Sequence, residues 1–369
     1  MNAVNCADMV FDENCGKKCG GRNVIEKVRV VEGVVNMLKV NMGLKSGEKA
    51  LIVTDVPTAE EWKRVDSVKL SEMLERVLLA KMVSEVAAEN FPGNKVEFFT
   101  YSSVGRHGTY PGEEVEERMK AADVVVAITT FSLTHTDARV NACNAGARVA
   151  SMPMFTAEML YPGGPMAADY RKIDFETKKI AVSITKASKA RITSQGGTHI
   201  AFSLEGRSGL IDSGIFTAKG SWGNLPSGEA YCAPVEGTAE GKLVVEPNWY
   251  PDLKEKMTMV FRKGYVAEIV GGGRIGDGFG GLLDFKKKEE PFLSRRNLAE
   301  LGIGTNPNAK RTDNVLEAEK IKGTVHLAIG DNSHMGGRVS SDLHQDFVVP
   351  KPTLILDDET VMRDGKLLV

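Results

Sequence analysis

Three of the chain's six histidines fall between positions 326 and 344, among carboxylates, glycines and polar residues. His344 and Asp346 are two apart, so on an extended strand both side chains point to one face and aim an imidazole and a carboxylate at the same point. His326 lies in Gly323-Thr324-Val325-His326-Leu327-Ala328-Ile329-Gly330, a short strand bounded by glycines. Two glutamates stand upstream in glycine-rich text that lets backbone come close to an ion or a substrate. Glu229 ends Asn224-Leu225-Pro226-Ser227-Gly228-Glu229, and Glu300 opens Glu300-Leu301-Gly302-Ile303-Gly304-Thr305-Asn306. Two His, two Glu and one Asp make a mixed N/O donor set that suits Zn, Co, Mn or Fe(II) better than Ca or a thiolate-loving metal. Each residue also has a plainer reading. A lone strand histidine is usually a satisfied core residue, Glu229 fits a solvated turn, Glu300 an exposed helix end, and His-x-Asp is common by chance.

The elements that must position these residues change character along the chain. From about 24 to 190, helical and strand patterns alternate. Val28 to Met42, Val68 to Glu89, Glu113 to Ala122 and His135 to Gly146 read as helices. Lys49 to Thr54, Lys95 to Tyr101, Asp123 to Thr129 and Ala147 to Met152 read as strands, the third apolar throughout as a strand covered on both faces must be. Such alternation means βαβ units and a mostly parallel sheet. Near residue 190 the helical periodicity stops. Arg191–Ser194, Leu204–Arg207, Gly241–Glu246 and Gly264–Ile269 read as short strands between glycine turns. Gly271-Gly272-Gly273 reads as a hinge or tight turn and makes no nucleotide site. Residues 285–301 are charged and read as helical, and the C-terminus reads as a hairpin. The expected fold is therefore α/β. A loose leader, 1–23, precedes an N-terminal parallel-sheet α/β domain, 24–190, and a β-rich C-terminal domain, 191–369, that carries the metal site.

At 369 residues the chain suits two cores better than one. It is 42% apolar and 26% charged with a net charge of −2, so there is no electrostatic case for nucleic acid or a membrane surface. No apolar run is long enough to span a bilayer. The first residues lack a basic stretch followed by an apolar core, so no signal peptide is expected and the expected location is cytoplasmic. Five cysteines do not suggest a disulfide framework. Cys6, Cys15 and Cys19 have no closed-zinc spacing and read as free thiols in the leader.

In their order, the four motifs around Glu229, Glu300, His326 and His344-Gln345-Asp346 resemble those of the aminopeptidase T family of metallopeptidases, as does the ending Asp364-Gly365-Lys366. The likeness is sharp over 220–369 and diffuse before it, where Thr134-His135-Thr136-Asp137-Ala138-Arg139 and Gly146 to Pro153 look like a divergent branch. The resemblance implies a two-domain fold, a homodimer and a two-metal site (Zn, Co or Mn) that hydrolyses the N-terminal peptide bond of short peptides. Glu229, Glu300, His326, His344 and Asp346 would take the ligand positions. Glu229 would bridge two ions roughly 3.5–4 Å apart, Glu300 would serve as ligand or general base, and Glu319 would give support from behind. The chain departs from the family at Ser333, where a Tyr is usual. His334 would then be the electrophilic group or an extra ligand, against a plain reading as a surface histidine. The superfamily likeness extends to 2,5-dihydroxypyridine dioxygenase, a mononuclear Fe(II) ring-cleaving enzyme for which His326, His344 and Asp346 would suffice, and a third reading is a non-catalytic metal-binding relative on the same scaffold. Two further stretches carry weaker signals. His135 and Arg139 read either as the mouth of the parallel sheet or as part of a helix cap at Thr136 or Asp137, and Thr198-His199 as a polar strand turn.

Overall fold

The computed structural model describes residues 25–369, so the leader and Cys6, Cys15 and Cys19 lie outside the described residues. Lys49–Val56, Lys95–Ser102, Val124–Thr129 and Arg148–Pro153 form the expected parallel sheet. Val124–Thr129 and Arg148–Pro153 are buried along their whole length, which is why their text is nearly continuous and apolar. The chain later returns to this sheet: Trp222–Asn224 pairs in parallel with Arg148–Pro153 at its edge.

The helices follow local rules. Ser67–Asn90 starts where the Asp66 carboxylate accepts the amides of Val68 and Lys69. The first helix is α-helical over Lys27–Asn36 and then widens into a π turn over Met37–Asn41. The helix expected from His135 begins at Asp137 instead, because the Thr136 hydroxyl caps it by accepting the Arg139 amide at 3.3 Å. His135 is thereby left outside the helix, in the loop that follows the parallel strand.

Two antiparallel sheets make up most of the rest. One has eight strands and includes Lys189–Thr193, His199–Ser203, Glu240–Val245, Met257–Arg262, Tyr265–Gly271 and the C-terminal hairpin Thr353–Leu356 with Glu359–Arg363. The other runs in the order His344–Pro350, Thr324–Gly330, Leu298–Gly304, Glu229–Cys232, Leu210–Asp212. One face of this second sheet packs Leu301, Ile303, Val325, Leu327, Phe347 and Val349 into a core shared with Ile192, Phe202, Leu243 and Met259 of the first. Because the side-chain period is two, the opposite face is left to Glu300, His326, His344 and Asp346.

Three local expectations are corrected. Residues 285–301 are not helical: after a charged stretch of turns and a single 3-10 turn at Ser294–Arg296, the strand Leu298–Gly304 begins. The charges of Lys286 to Glu290 belong to a surface loop, and the apolar residues that follow fit a sheet buried on both faces. Leu204–Arg207 is the turn after His199–Ser203 rather than a strand. Gly272 and Gly273 open a helix, Gly273–Leu283, whose glycines hide it from propensity reading while Phe279 and Leu283 dock into the core. No helix among the described residues is long and apolar enough to cross a membrane.

Phe347 links core and site. It is fully buried, stacked on Tyr250 at 5.5 Å and edge-on to Phe279 at 5.2 Å, and it directly follows Asp346. Phe347→Ala is expected to cost about 3–5 kcal/mol, read as a lower urea midpoint with an unchanged slope. A midpoint within experimental error of the parent would show that the aromatic cluster does not hold this strand.

Candidate metal centre

The second sheet's registers bring the expected donors together. Glu300 pairs with Ala328, Gly302 with His326, Ala328 with Asp346, Gly330 with His344, and Gly304 with Glu229. Four adjacent strands therefore deliver their donors to one face. The crossing of Gly302 and His326 is tight, since a Cβ on Gly302 would clash with the imidazole at Nε2 and Cε1. Glycine is required there to let the ring lie flat across the strand.

The donors form two overlapping trios, Glu229 with Glu300 and His326, and Glu300 with His344 and Asp346; in each the donor atoms all lie within 4.8 Å of one another. Glu300 belongs to both. Its Oε1 is 3.3 Å from His326 Nε2 and its Oε2 is 3.2 Å from His344 Nε2. His344 Nε2 is also 3.7 Å from Asp346 Oδ1, and His326 Nε2 is 3.3 Å from Glu229 Oε2. His344 donates Nδ1–H to the Asp331 carbonyl at 2.8 Å, which turns Nε2 toward the centre. The first trio is buried throughout, whereas His344 and Asp346 are half-buried at the edge of a cavity of about 270 Å³.

Electrostatics follow from burying these charges together. Burial alone would lower the imidazoles, but Glu300, Glu229 and Asp346 outweigh it and raise His326 to about 9. His344 is raised to about 10 against the same burial effect, by Asp346, Glu300 and the Asp331 carbonyl. Burial would raise Glu300, yet the two imidazoles hold it well below the ordinary carboxylate range. Without metal, the centre thus holds positive charge as imidazolium protons. The residues fit a divalent cation: the donors are N and O, they converge, and Glu229 Oε2 is buried with no hydrogen-bond partner.

The cavity wall includes residues with weak or no sequence signal. His135 faces it, its ring 4.8 Å from that of His334, and burial followed by the charges of His334, His344 and Arg139 lowers it to about 4. Thr136 therefore caps the helix, and of the pair expected at the sheet's mouth His135 lines the cavity while Arg139 does not. Arg139 stacks its guanidinium 3.9 Å over Trp222. His334 also lines the cavity, but its Nδ1 pairs with Asp331 Oδ1 at 2.8 Å and it lies outside both trios. Ser333 bonds to the same carboxylate. His199 pairs with Lys242 between two interior strands of the eight-stranded sheet, away from the cavity lining. Lys320, Asp212 and His107 line the cavity without having drawn notice. Lys320 stands in Glu319-Lys320-Ile321-Lys322, text that looks like an ordinary solvated charge run, and nothing in it announces burial.

A family model described as 2,5-dihydroxypyridine 5,6-dioxygenase matches residues 32–369. The 2,5-dihydroxypyridine 5,6-dioxygenase of Pseudomonas putida KT2440 is 24% identical over 271 residues, which cover 69% of this chain and 73% of that protein. A solved structure of the P. putida dioxygenase superposes with a TM-score of 0.69 at 17% identity, covering 94% of this chain and 99% of that one. AmpT from Thermus thermophilus superposes at 0.59 with 13% identity, covering 93% and 100%. Both likenesses confirm the α/β fold with its parallel and antiparallel sheets.

These findings correct the peptidase expectation. The likeness to aminopeptidase T holds for the fold, but the family match overturns hydrolysis of peptides and a short-peptide substrate, and it lends no support to a two-ion Zn, Co or Mn centre. The physical reason is that a donor set specifies a cation, not a reaction. The ordered carboxylates and histidines belong to a scaffold on which more than one chemistry is built.

Two outcomes follow from the geometry. A cation that takes the imidazole nitrogens must displace their protons, so Co(II) affinity is expected to rise between pH 6 and 9, with proton release measurable by calorimetry in buffers of different ionisation heat. In the metal-free protein the imidazole pairs stabilise fully below the ordinary 6.5 and lose this as pH rises through about 9 to 10. A pH-independent affinity would contradict this charge balance. Gly302→Ala is expected to displace the His326 ring and weaken metal binding by about 10–100-fold, while far-UV circular dichroism shows the fold retained.

Proposed function

The chain belongs to the 2,5-dihydroxypyridine 5,6-dioxygenase family, and on that premise we propose that it is an Fe(II)-dependent enzyme that opens a small hydroxylated pyridine ring with dioxygen. The observation that carries the reading is the trio of Glu300, His344 and Asp346, buried at Glu300 and half-buried at the other two, at the edge of the cavity, with the His326 imidazole against Glu300. These residues would hold the iron. Two imidazoles with carboxylates form the donor type that non-haem Fe(II) takes when it must keep positions open. When bound, Fe(II) supplies the electron transfer that lets dioxygen react with an electron-rich ring.

The remaining groups suit a small, flat, polar substrate. The cavity, at about 270 Å³, lies at the small end of ligand pockets, which run from about 300 to 1,000 Å³. His135, on the cavity wall, offers a ring nitrogen that in the neutral imidazole accepts a hydrogen bond from a ring hydroxyl. Asn224 donates from Nδ2 to Thr134 Oγ1 at 3.1 Å and to the Ser151 carbonyl at 3.1 Å, so the polar wall beside His135 is braced. Asp331 holds His334 and, through its carbonyl, His344, which couples the wall to the metal ligand. The Trp222 ring, backed by Arg139, gives an apolar face beside the site.

Anaerobic loading with Fe(II), then mixing with 2,5-dihydroxypyridine and oxygen, is expected to consume one O₂ per substrate and, with ¹⁸O₂, to place both labelled atoms in the product. His344→Ala and Asp346→Ala are expected to lose both iron and turnover. A fully iron-loaded protein that leaves oxygen and the pyridine untouched would refute the reading.

A further inference from the structure

Lys320 is a cation built into the wall of the centre. It is only 2% exposed, yet its ammonium lies 2.5 Å from Glu229 Oε1, 2.8 Å from Glu319 Oε1 and 3.9 Å from Asp212 Oδ2. Those carboxylates come from three separate places: the strands Glu229–Cys232 and Leu210–Asp212, and the segment after the short helix Val315–Ala318. The backbone that presents Lys320 is pinned to the site strand's end. Its carbonyl accepts the Asn306 amide at 2.9 Å, and the Lys322 amide donates to the Asn306 carbonyl at 3.0 Å. The ammonium therefore cannot leave without unpairing that segment, and removing its charge would strand buried carboxylates.

The placement divides the two trios. Glu229 and His326 belong to the inner trio alone, and Lys320 holds the Oε1 of Glu229. An ion in the inner trio would have to share Glu300 with an ion in the outer one and also sit beside a fixed ammonium on Glu229. We propose that Lys320 occupies, as an internal cation, the place a second metal ion would need, and so makes this centre mononuclear. The inference rests on the single-iron reading above and extends it by naming the residue that sets the ion count. Lys320 acts through Glu229 and is a positioning residue.

The test counts ions. Metal-free protein is titrated with Co(II) without oxygen, and bound cobalt is measured by elemental analysis and by its visible absorption. The parent chain is expected to bind one Co(II) per chain. Lys320→Met is expected to bind two, with a second absorption component that disappears when Glu229→Gln is added, while Lys320→Arg keeps one. Lys320→Gln, which retains a donor to Glu229 without the charge, carries the same expectation of two and serves if Lys320→Met does not fold. Two ions in the parent, or one ion in a folded Lys320→Met or Lys320→Gln protein, would overturn the proposal. A parent that binds one iron but never consumes oxygen with the pyridine would instead overturn the dioxygenase reading and leave the ion count standing.

Discussion

Everything at this centre depends on burying Glu300 between two imidazoles. A lone carboxylate in that position would carry a large desolvation cost. It is tolerated because His326 and His344 each bring a nitrogen to one of its oxygens, at 3.3 and 3.2 Å. The imidazoles in turn keep their protons because a second carboxylate stands at the same Nε2, Glu229 at His326 and Asp346 at His344. None of these groups can be removed singly without leaving a buried charge unmatched. The same mutual field that retains protons in the metal-free state is what attracts a divalent cation, so folding and metal binding draw on one set of charges.

The sandwich exists to make that burial possible. Strand alternation places Leu301, Ile303, Val325, Leu327, Phe347 and Val349 in the shared core and turns the donors to the other side, toward the parallel sheet. A register slip of one residue would exchange the two sets, so the hydrophobic core holds the geometry of the donors. The parallel sheet closes the cavity from across, through His135 after Val124–Thr129 and through the added strand Trp222–Asn224. The donors stand on strands, and the opposite wall of the cavity comes from loops and strand ends.

The correction from peptidase to dioxygenase concerns chemistry rather than architecture. The aminopeptidase T scaffold and the dioxygenase scaffold both superpose on nearly the whole chain. The reaction depends on which cation the site takes, how many, and what the cavity admits. Lys320 stands against Glu229 in the wall of the centre, and His135, Asn224 and Trp222 line the cavity.

Much of this was legible in the text of the chain. The parallel strands announced themselves as apolar runs, and Glu229, Glu300, His326, His344 and Asp346 stood out by type, glycine context and order. Period-two spacing is a local property, so His-x-Asp on one face needed no tertiary information. What was not legible was set by packing. Leu298–Gly304 sits beside charged loop text, and it is a strand because the sandwich buries it. Gly273–Leu283 is a helix against the propensity of its glycines because Phe279 and Leu283 have a core to enter. Lys320 reads as solvated, and it is buried because Glu229, Glu319 and Asp212 surround it from remote positions. The sequence by itself determined the donors and the faces they share, because those follow from residue type and strand period. Only the tertiary structure decided which charges meet, which cation is already supplied and what shape of ligand is admitted, because those depend on distances between segments far apart in the chain.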